Sequence, residues 1–224
     1  MNQVQTFWHN FLHLLPQFTE GDEPSQSAME SLLTSLQMID DRLYFFIGST
    51  DEGMDLILSA EGYPDLMPVI ADMKAAAPAM PGWHIVVSYE ADLLFGQRNM
   101  RVFPDTDNGN VLYMMGCKGD ALWISRAVNF SVVFPGMQAA EAFAVKLRED
   151  GYSCEASLYD GAERFHAQAE VTLPLIPTCD NIGKAEDMLA ALALPFGGQN
   201  DGWGCFEVSA EEANLALQKI TDSY

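Results

Sequence analysis

The stretch Phe196-Gly197-Gly198-Gln199-Asn200-Asp201-Gly202-Trp203 decides the fold of the C-terminal half of the chain. A predicted helix, residues 181–194, comes before it, and a predicted strand, residues 203–208, follows it. Glycine, Asn and Asp tolerate left-handed backbone angles or cap their own backbone groups, so the chain can reverse sharply here. Trp203 then places a large ring at the start of the returning strand, where it can seal a sheet against the preceding helix. The stretch therefore predicts a tight connection from a helix into a sheet.

The segments before this stretch complete a βαββαβ order. Apolar periodicity predicts strands at residues 127–134, 152–158 and 164–173 and a helix at residues 137–149. Residues 159–163 are predicted to form a polar hairpin tip between two of the strands. The order is that of the ferredoxin-like split βαβ unit, an α+β sandwich. A last helix at residues 210–220 begins with Ser209 and Glu212 at the spacing of a capping box.

The N-terminal half predicts a second α+β domain, with helices packed on an antiparallel sheet. Its predicted elements are helices at residues 3–15, 27–41 and 65–77 and strands at residues 43–47, 56–60 and 84–89. Between the halves, the turn-forming residues 105–109 are flanked by predicted strands at residues 101–103 and 111–115. We place the domain boundary in Lys118-Gly119-Asp120, which gives domains of residues 1–119 and 120–224.

The composition is that of a folded globular protein. Hydrophobic residues make up 49% of the 224-residue chain and charged residues 19%. No apolar run is long enough to span a bilayer. Residues 1–11 contain no Lys or Arg and so lack the basic start of a secretory signal. We therefore expect a cytoplasmic protein with no membrane association.

The charge balance bears on the class of partner. The chain carries 32 Asp and Glu residues against 11 Lys and Arg, a formal net charge of −21. Such a field repels phosphate backbones, so we expect no direct nucleic-acid binding. It attracts and steers basic protein partners. Simple solubility is an alternative explanation of the same charge.

Residues that could carry chemistry are few. His9 and His13 have the four-residue spacing of two metal ligands on a helix, but no third ligand accompanies them. An amphipathic helix with two half-exposed rings accounts for them better. No zinc spacing joins the cysteines, which we expect to be reduced thiols: Cys117, Cys154, Cys179 and Cys205. Because nucleophile-elbow, phosphate-loop and calcium-loop patterns are also missing, we expect no metal site, no cofactor and no enzymatic activity.

Residues 127–208 resemble the RraB family, the protein regulators of ribonuclease E activity. The resemblance rests on the strand at 127–134, the helix ending at Leu147, Asp150-Gly151-Tyr152 and the Gly-Gly-x-x-Asp-Gly-Trp string. It implies a ferredoxin-like fold without catalytic residues and a structural family signature made of Gly197, Gly198, Asp201, Gly202 and Trp203. It also implies an inhibitor that binds ribonuclease E, a partner whose Arg-rich, disordered scaffold regions suit an acidic binder.

The residues in front resemble a different family. Ser59-Ala60-Glu61-Gly62-Tyr63-Pro64 and Ala76-Ala77-Pro78-Ala79-Met80-Pro81-Gly82-Trp83 resemble a domain-of-unknown-function family that is sometimes joined to RraB-like domains. That resemblance implies no activity for the N-terminal half.

The sequence thus predicts a non-catalytic regulator that binds a basic protein segment and inhibits or modulates ribonuclease E or a similar RNA-processing enzyme. Candidate partner-binding residues lie around the predicted hairpin: Glu155, Asp160 and Glu163. The alternative for these three is that they are solvated turn residues without such a role. A different class also stays open, namely a small-molecule-binding or weakly enzymatic protein that uses a cleft between the two domains.

Overall fold

A computed structural model of the chain describes residues 2–18, 25–162 and 164–221. The chain divides into two compact units, which we call the first unit (residues 1–102 with 210–224) and the second unit (residues 103–209). The predicted domain boundary near Gly119 falls inside the second unit. Whether residues 1–119 and 120–224 behave as separate folding domains stays a prediction.

The elements follow the predicted order over most of the chain. In the first unit they are α1 Gln3–Leu14, α2 Gln26–Gln37, β1 Tyr44–Thr50, β2 Gly53–Ser59, α3 Met67–Ala75 and β3 Trp83–Ser88. In the second unit they are α4 Asp107–Cys117, β4 Arg126–Phe134, α5 Met137–Glu149, β5 Ser153–Ala162, β6 Phe165–Leu175, α6 Cys179–Ala193 and β7 Gln199–Cys205. The last helix, α7 Ala210–Thr221, belongs to the first unit, where it packs against α3.

The first unit is a three-stranded sheet with helices packed on it. The strand order is β1-β2-β3, and the central strand β2 buries Leu56, Ile57 and Leu58. The predicted antiparallel pairing holds for β1 and β2, but the prediction was wrong for β3, because β2 and β3 pair in parallel. The physical reason is the intervening helix α3, which carries the chain back so that β3 starts at the same end as β2.

The aromatic face of α1 supplies much of the core of the first unit. Phe7, Trp8 and Phe11 are buried at helical spacing. The Phe11 ring meets the Trp83 ring edge-on with 5.1 Å between their centroids. The indole Nε1 of Trp8 donates a hydrogen bond of 3.0 Å to the Met73 carbonyl oxygen, so this buried polar atom has a partner.

The second unit is a four-stranded antiparallel sheet in the order β5-β6-β4-β7. In chain order, a helix follows the first strand, β4, and the third strand, β6. Together with the sheet order, this is the ferredoxin-like split βαβ arrangement, as predicted. Helices α5 and α6 pack on one face, which we call the inner face. Alternate residues of β4 point to that face and are buried: Val128, Phe130, Val132 and Phe134.

Several stretches differ from the prediction. The strand predicted at residues 203–208 begins earlier and ends earlier, at Gln199–Cys205, so Trp203 lies inside β7 and does not begin it. Residues 111–115, predicted as a strand, lie in helix α4, and residues 101–103 form no strand. The Thr106 hydroxyl caps α4 by accepting from the Gly109 amide at 3.2 Å, a helix start that the turn-like sequence conceals. In addition, β5 continues to Ala162 through residues predicted as a hairpin tip, with a register irregularity after Leu158.

Candidate protein-interaction site

The connector, residues 197–203, is fixed by backbone geometry at its first two glycines. Helix α6 ends in a short 3-10 turn, and Gly197 then adopts a left-handed φ of 71° that favours glycine. The Gly198 amide donates a hydrogen bond of 3.1 Å to the Ala193 carbonyl. A Cβ atom at Gly198 would collide with the Phe134 ring and lie 2.9 Å from the Ala193 Cβ, so a side chain does not fit there.

A β-bulge follows in the same connector. The pairing of β4 with β7 shifts between Ser131 and Val132, which leaves Asp201 without a partner in β4, and Gly202 has a φ of 121°. Hydrogen bonding and charge from the nearby Asp201 carboxylate raise the pKa of the Tyr159 phenol. Asp201, in the bulge of the edge strand β7, therefore lies near Tyr159 of the opposite edge strand β5.

Trp203, the last residue of the connector, takes part in a series of side-chain hydrogen bonds. Its Nε1 donates a 2.7 Å hydrogen bond to Oδ1 of Asn108 at the start of α4. Asn108 Nδ2 in turn donates to Glu186 Oε2 at 2.6 Å, and Asn200 Nδ2 donates to the Glu186 carbonyl oxygen at 2.8 Å. The ring of Trp203 is half-buried, so the residue ties α4 and α6 to the sheet through hydrogen bonds as well as through packing.

A buried ion pair fixes the chain beyond β7. Arg126 Nη1 contacts Asp120 Oδ1 at 2.6 Å, and their side chains are 6% and 0% exposed. Arg126 also donates to the Phe206 carbonyl oxygen at 3.2 Å, while Asp120 Oδ1 accepts from the Val208 amide at 3.0 Å. The exit of β7 is thereby tied to the start of β4, and the Arg126 charge is neutralised inside the unit.

The other side of this sheet carries an open row of polar residues. Register places Glu155, Glu170, Ser131 and Gly202 side by side across the four strands, on the face opposite α5 and α6. The neighbouring row across the same strands is Ser153, Thr172, Asn129 and Gly204. We call these two rows the outer face. Most of their side chains are exposed, so the face is accessible.

Two like charges lie directly opposite each other on the outer face. Glu155 and Glu170 are cross-strand partners, and both are exposed. Among the residues that the structure describes, neither carboxylate has a Lys, Arg or His within ion-pair distance. Directly opposed like charges destabilise a sheet, so this pair offers a favourable position to an external cation.

The predicted partner-binding residues are placed unequally. Glu155 lies on the outer face, and Asp160 is exposed near the end of β5. Glu163 lies outside the described residues. Sequence reasoning missed Glu170, whose position opposite Glu155 depends on strand register. It also missed Asn108, which the sequence placed in a turn between strands.

The described part of the chain offers little else that resembles a site. His9 and His13 are exposed on α1, and no cluster of three or more His, Cys, Asp or Glu within the described ranges could hold a metal ion. None of the described helices combines the length and apolarity needed to cross a membrane.

The second unit is therefore a ferredoxin-like α+β sandwich with a helix-covered inner face and an open, acidic outer face. Residues 105–205 match the model of a protein family described as RraB, regulator of ribonuclease activity B. The predicted RraB resemblance of the C-terminal half is confirmed, and the match begins earlier than predicted, so that it includes α4. No curated protein sequence matches the chain significantly. The resemblance proposed for the N-terminal half stays a prediction.

Proposed function

We propose that this chain is a non-catalytic regulatory protein that binds a basic segment of ribonuclease E, or of a similar RNA-processing enzyme, and inhibits it. The observation that carries the proposal is the RraB match over residues 105–205, because that family is described as regulating ribonuclease activity. The proposed setting is the cytoplasm, as the sequence predicts.

The charge of the molecule supports a basic protein partner over a nucleic acid. A net charge of −21 repels RNA, whereas it accelerates encounter with an Arg-rich segment. The opposed carboxylates of Glu155 and Glu170 also favour a basic partner, since a bound cation would relieve their mutual repulsion. Exposed ion pairs are individually weak, so apolar contacts would be needed to hold the complex once formed.

The proposal is tested by a cleavage assay with purified ribonuclease E and a labelled RNA substrate. We expect the full chain to slow cleavage in a saturable manner. Ribonuclease E that lacks its Arg-rich scaffold region serves as the control, and its activity should not change. If cleavage by the intact enzyme is equally fast with and without the chain, the proposed function is wrong.

A pair of charge-matched variants tests which face takes part. The double variant Glu155→Gln/Glu170→Gln removes the opposed carboxylates, and Glu141→Gln/Glu149→Gln removes two exposed carboxylates from α5 on the helical side. The net charge changes by the same amount in both. We expect only the first variant to weaken inhibition. Equal weakening by both would favour a general charge effect over a defined face.

A further inference from the structure

The outer face of the second unit contains a groove. It has a volume of about 430 Å³ and crosses β6, β4 and β7, and its lining includes Asn129, Ser131, Glu170, Asp201, Gly204 and Phe206. Two of the β7 residues beneath the groove, Gly202 and Gly204, are glycines and place no side chain in it. A Cβ atom built at Gly202 or Gly204 would meet nothing within 4 Å, so the space above this strand is open.

The walls of the groove combine two carboxylates with an exposed aromatic ring. Glu170 stands in the same row as Gly202, two strand spacings or about 10 Å away, and Asp201 is the residue next to Gly202. The Phe206 ring, 89% exposed, lies at the rim just beyond β7. Arg126, which donates to the Phe206 carbonyl oxygen, is already paired with Asp120 in the interior.

This combination matches one kind of side chain. A guanidinium group is planar, carries five donors and binds carboxylates in a bidentate manner, while its stem and flat face pack on aromatic rings. An ammonium group is instead a compact point charge that is more strongly hydrated than a guanidinium group. A groove with carboxylates on opposite sides and an aromatic rim therefore favours arginine over lysine.

We propose that this groove is the docking site for an arginine side chain of the protein partner, with the guanidinium between Glu170 and Asp201 and its stem against Phe206. The proposal rests on the proposed function for the identity of the partner. The groove itself is defined only by residues of the second unit, so it can be tested separately.

The first experiment measures binding of small probes to the groove in the absence of the protein partner. The full chain, labelled with ¹⁵N, is titrated with argininamide, and lysinamide and glycinamide are the comparison probes. We expect saturable shifts of the Gly202 and Gly204 amide signals with argininamide, at concentrations where the other two probes produce much smaller ones. Equal shifts with argininamide and lysinamide, or shifts that spread over the whole surface, would overturn the arginine assignment.

The second experiment fills the groove. Gly204→Val places a side chain in open space in β7, and Gly48→Val does the same in β1 of the first unit, where a Cβ atom also meets nothing within 4 Å. We expect Gly204→Val to weaken binding of a synthetic Arg-rich segment of ribonuclease E at least about tenfold, the loss of one charge-assisted contact, whereas Gly48→Val binds like the parent. Unchanged melting curves for both variants would show that folding is intact.

Glu170→Gln provides a variant with almost the same shape as the parent. We expect it to weaken binding of the segment and to reduce the argininamide shifts at Gly202. If the parent binds the segment and neither Gly204→Val nor Glu170→Gln weakens that binding, the groove proposal is wrong and the proposed function stands. If the segment does not bind and argininamide still produces the local shifts, the proposed function fails and the groove remains.

Discussion

Trp203 illustrates how a single residue of the connector is held from two directions. Its ring lies well inside strand β7, where Trp203 pairs with Phe130 of β4, and its Nε1 donates to Asn108 Oδ1 at 2.7 Å. Asn108 is at the same time bound to Glu186 in α6. Replacing the ring therefore affects the sheet, α4 and α6 together.

We expect Trp203→Ala to lower the free energy of unfolding by about 3 kcal/mol, the low end for large aromatic residues because this ring is half-buried. Trp203→Phe keeps most of the packing and removes only the indole donor, so we expect a loss of about 1 kcal/mol. Denaturant titrations of the two variants measure both values. A midpoint of Trp203→Ala equal to that of the parent would refute a structural role and favour an exposed recognition role.

We expect Glu90 to make the stability of the first unit sensitive to pH. The residue is 1% exposed; Asn99 Nδ2 donates to its Oε1 at 3.1 Å, and its Oε2 has no partner among the described residues. Burial raises the pKa of Glu90 above its ordinary value of 4.5, and the charges of Asp92 and Glu61 raise it further. The folded state therefore favours the protonated carboxyl.

Because the folded-state pKa of Glu90 is raised, the direction in which its contribution to stability changes with pH is defined. The contribution of Glu90 to stability is complete below its unfolded-state pKa of 4.5 and is lost as the pH rises through the higher folded-state pKa. We expect Glu90→Gln, which is neutral at every pH, to gain stability relative to the parent as the pH rises above this range. Urea titrations of both proteins between about pH 4 and pH 8 test the prediction. A difference that stays constant across the series would contradict it.

The helices and strands with a clear periodicity of apolar residues could be predicted from the sequence. The elements and pairings that depend on tertiary contacts could not. The apolar spacing of Ala140, Phe143 and Leu147 defines α5, and the βαββαβ order follows from such patterns. Helix α4 was missed because Val111 to Met115 also fits a short strand, and its cap at Thr106 lies in a turn-like sequence. The Glu155–Glu170 pair could not be predicted, because strand register is decided by the whole sheet.

Helix α4 bears on where the chain can be divided. It packs against α6, and its Asn108 supplies partners to both Trp203 and Glu186. A fragment that begins at residue 120 loses this helix, whereas one that comprises residues 103–209 keeps it. The family match also begins before α4.

We expect the fragment of residues 103–209 to fold alone and to be more stable than the fragment of residues 120–224. The loss of two hydrogen bonds to Asn108 predicts a difference of about 2 kcal/mol. Denaturant titrations followed by tryptophan fluorescence measure it. Equal midpoints, or greater stability of the fragment that begins at residue 120, would show that α4 does not contribute to the fold of the second unit.

For the whole molecule, the net charge of −21 predicts a preference against nucleic acid. We expect no binding of single-stranded RNA at physiological salt, because phosphates are repelled at long range. A mobility-shift assay with a labelled RNA tests this, with a known RNA-binding protein as the positive control. Tight binding that weakens as salt rises would require a basic patch, and would contradict the account of a protein partner.

The measurement that tests the central claim most directly is a calorimetric titration of the full chain with the Arg-rich segment of ribonuclease E. It is made at about 0.05 M and about 0.15 M salt, and a second segment with every Arg replaced by Gln is the control. The account predicts saturable heat with the Arg-rich segment, an affinity that falls as salt rises, and no heat with the control. No heat and no co-elution with the Arg-rich segment at either salt concentration would contradict it, and would leave the RraB match as shared fold without shared function.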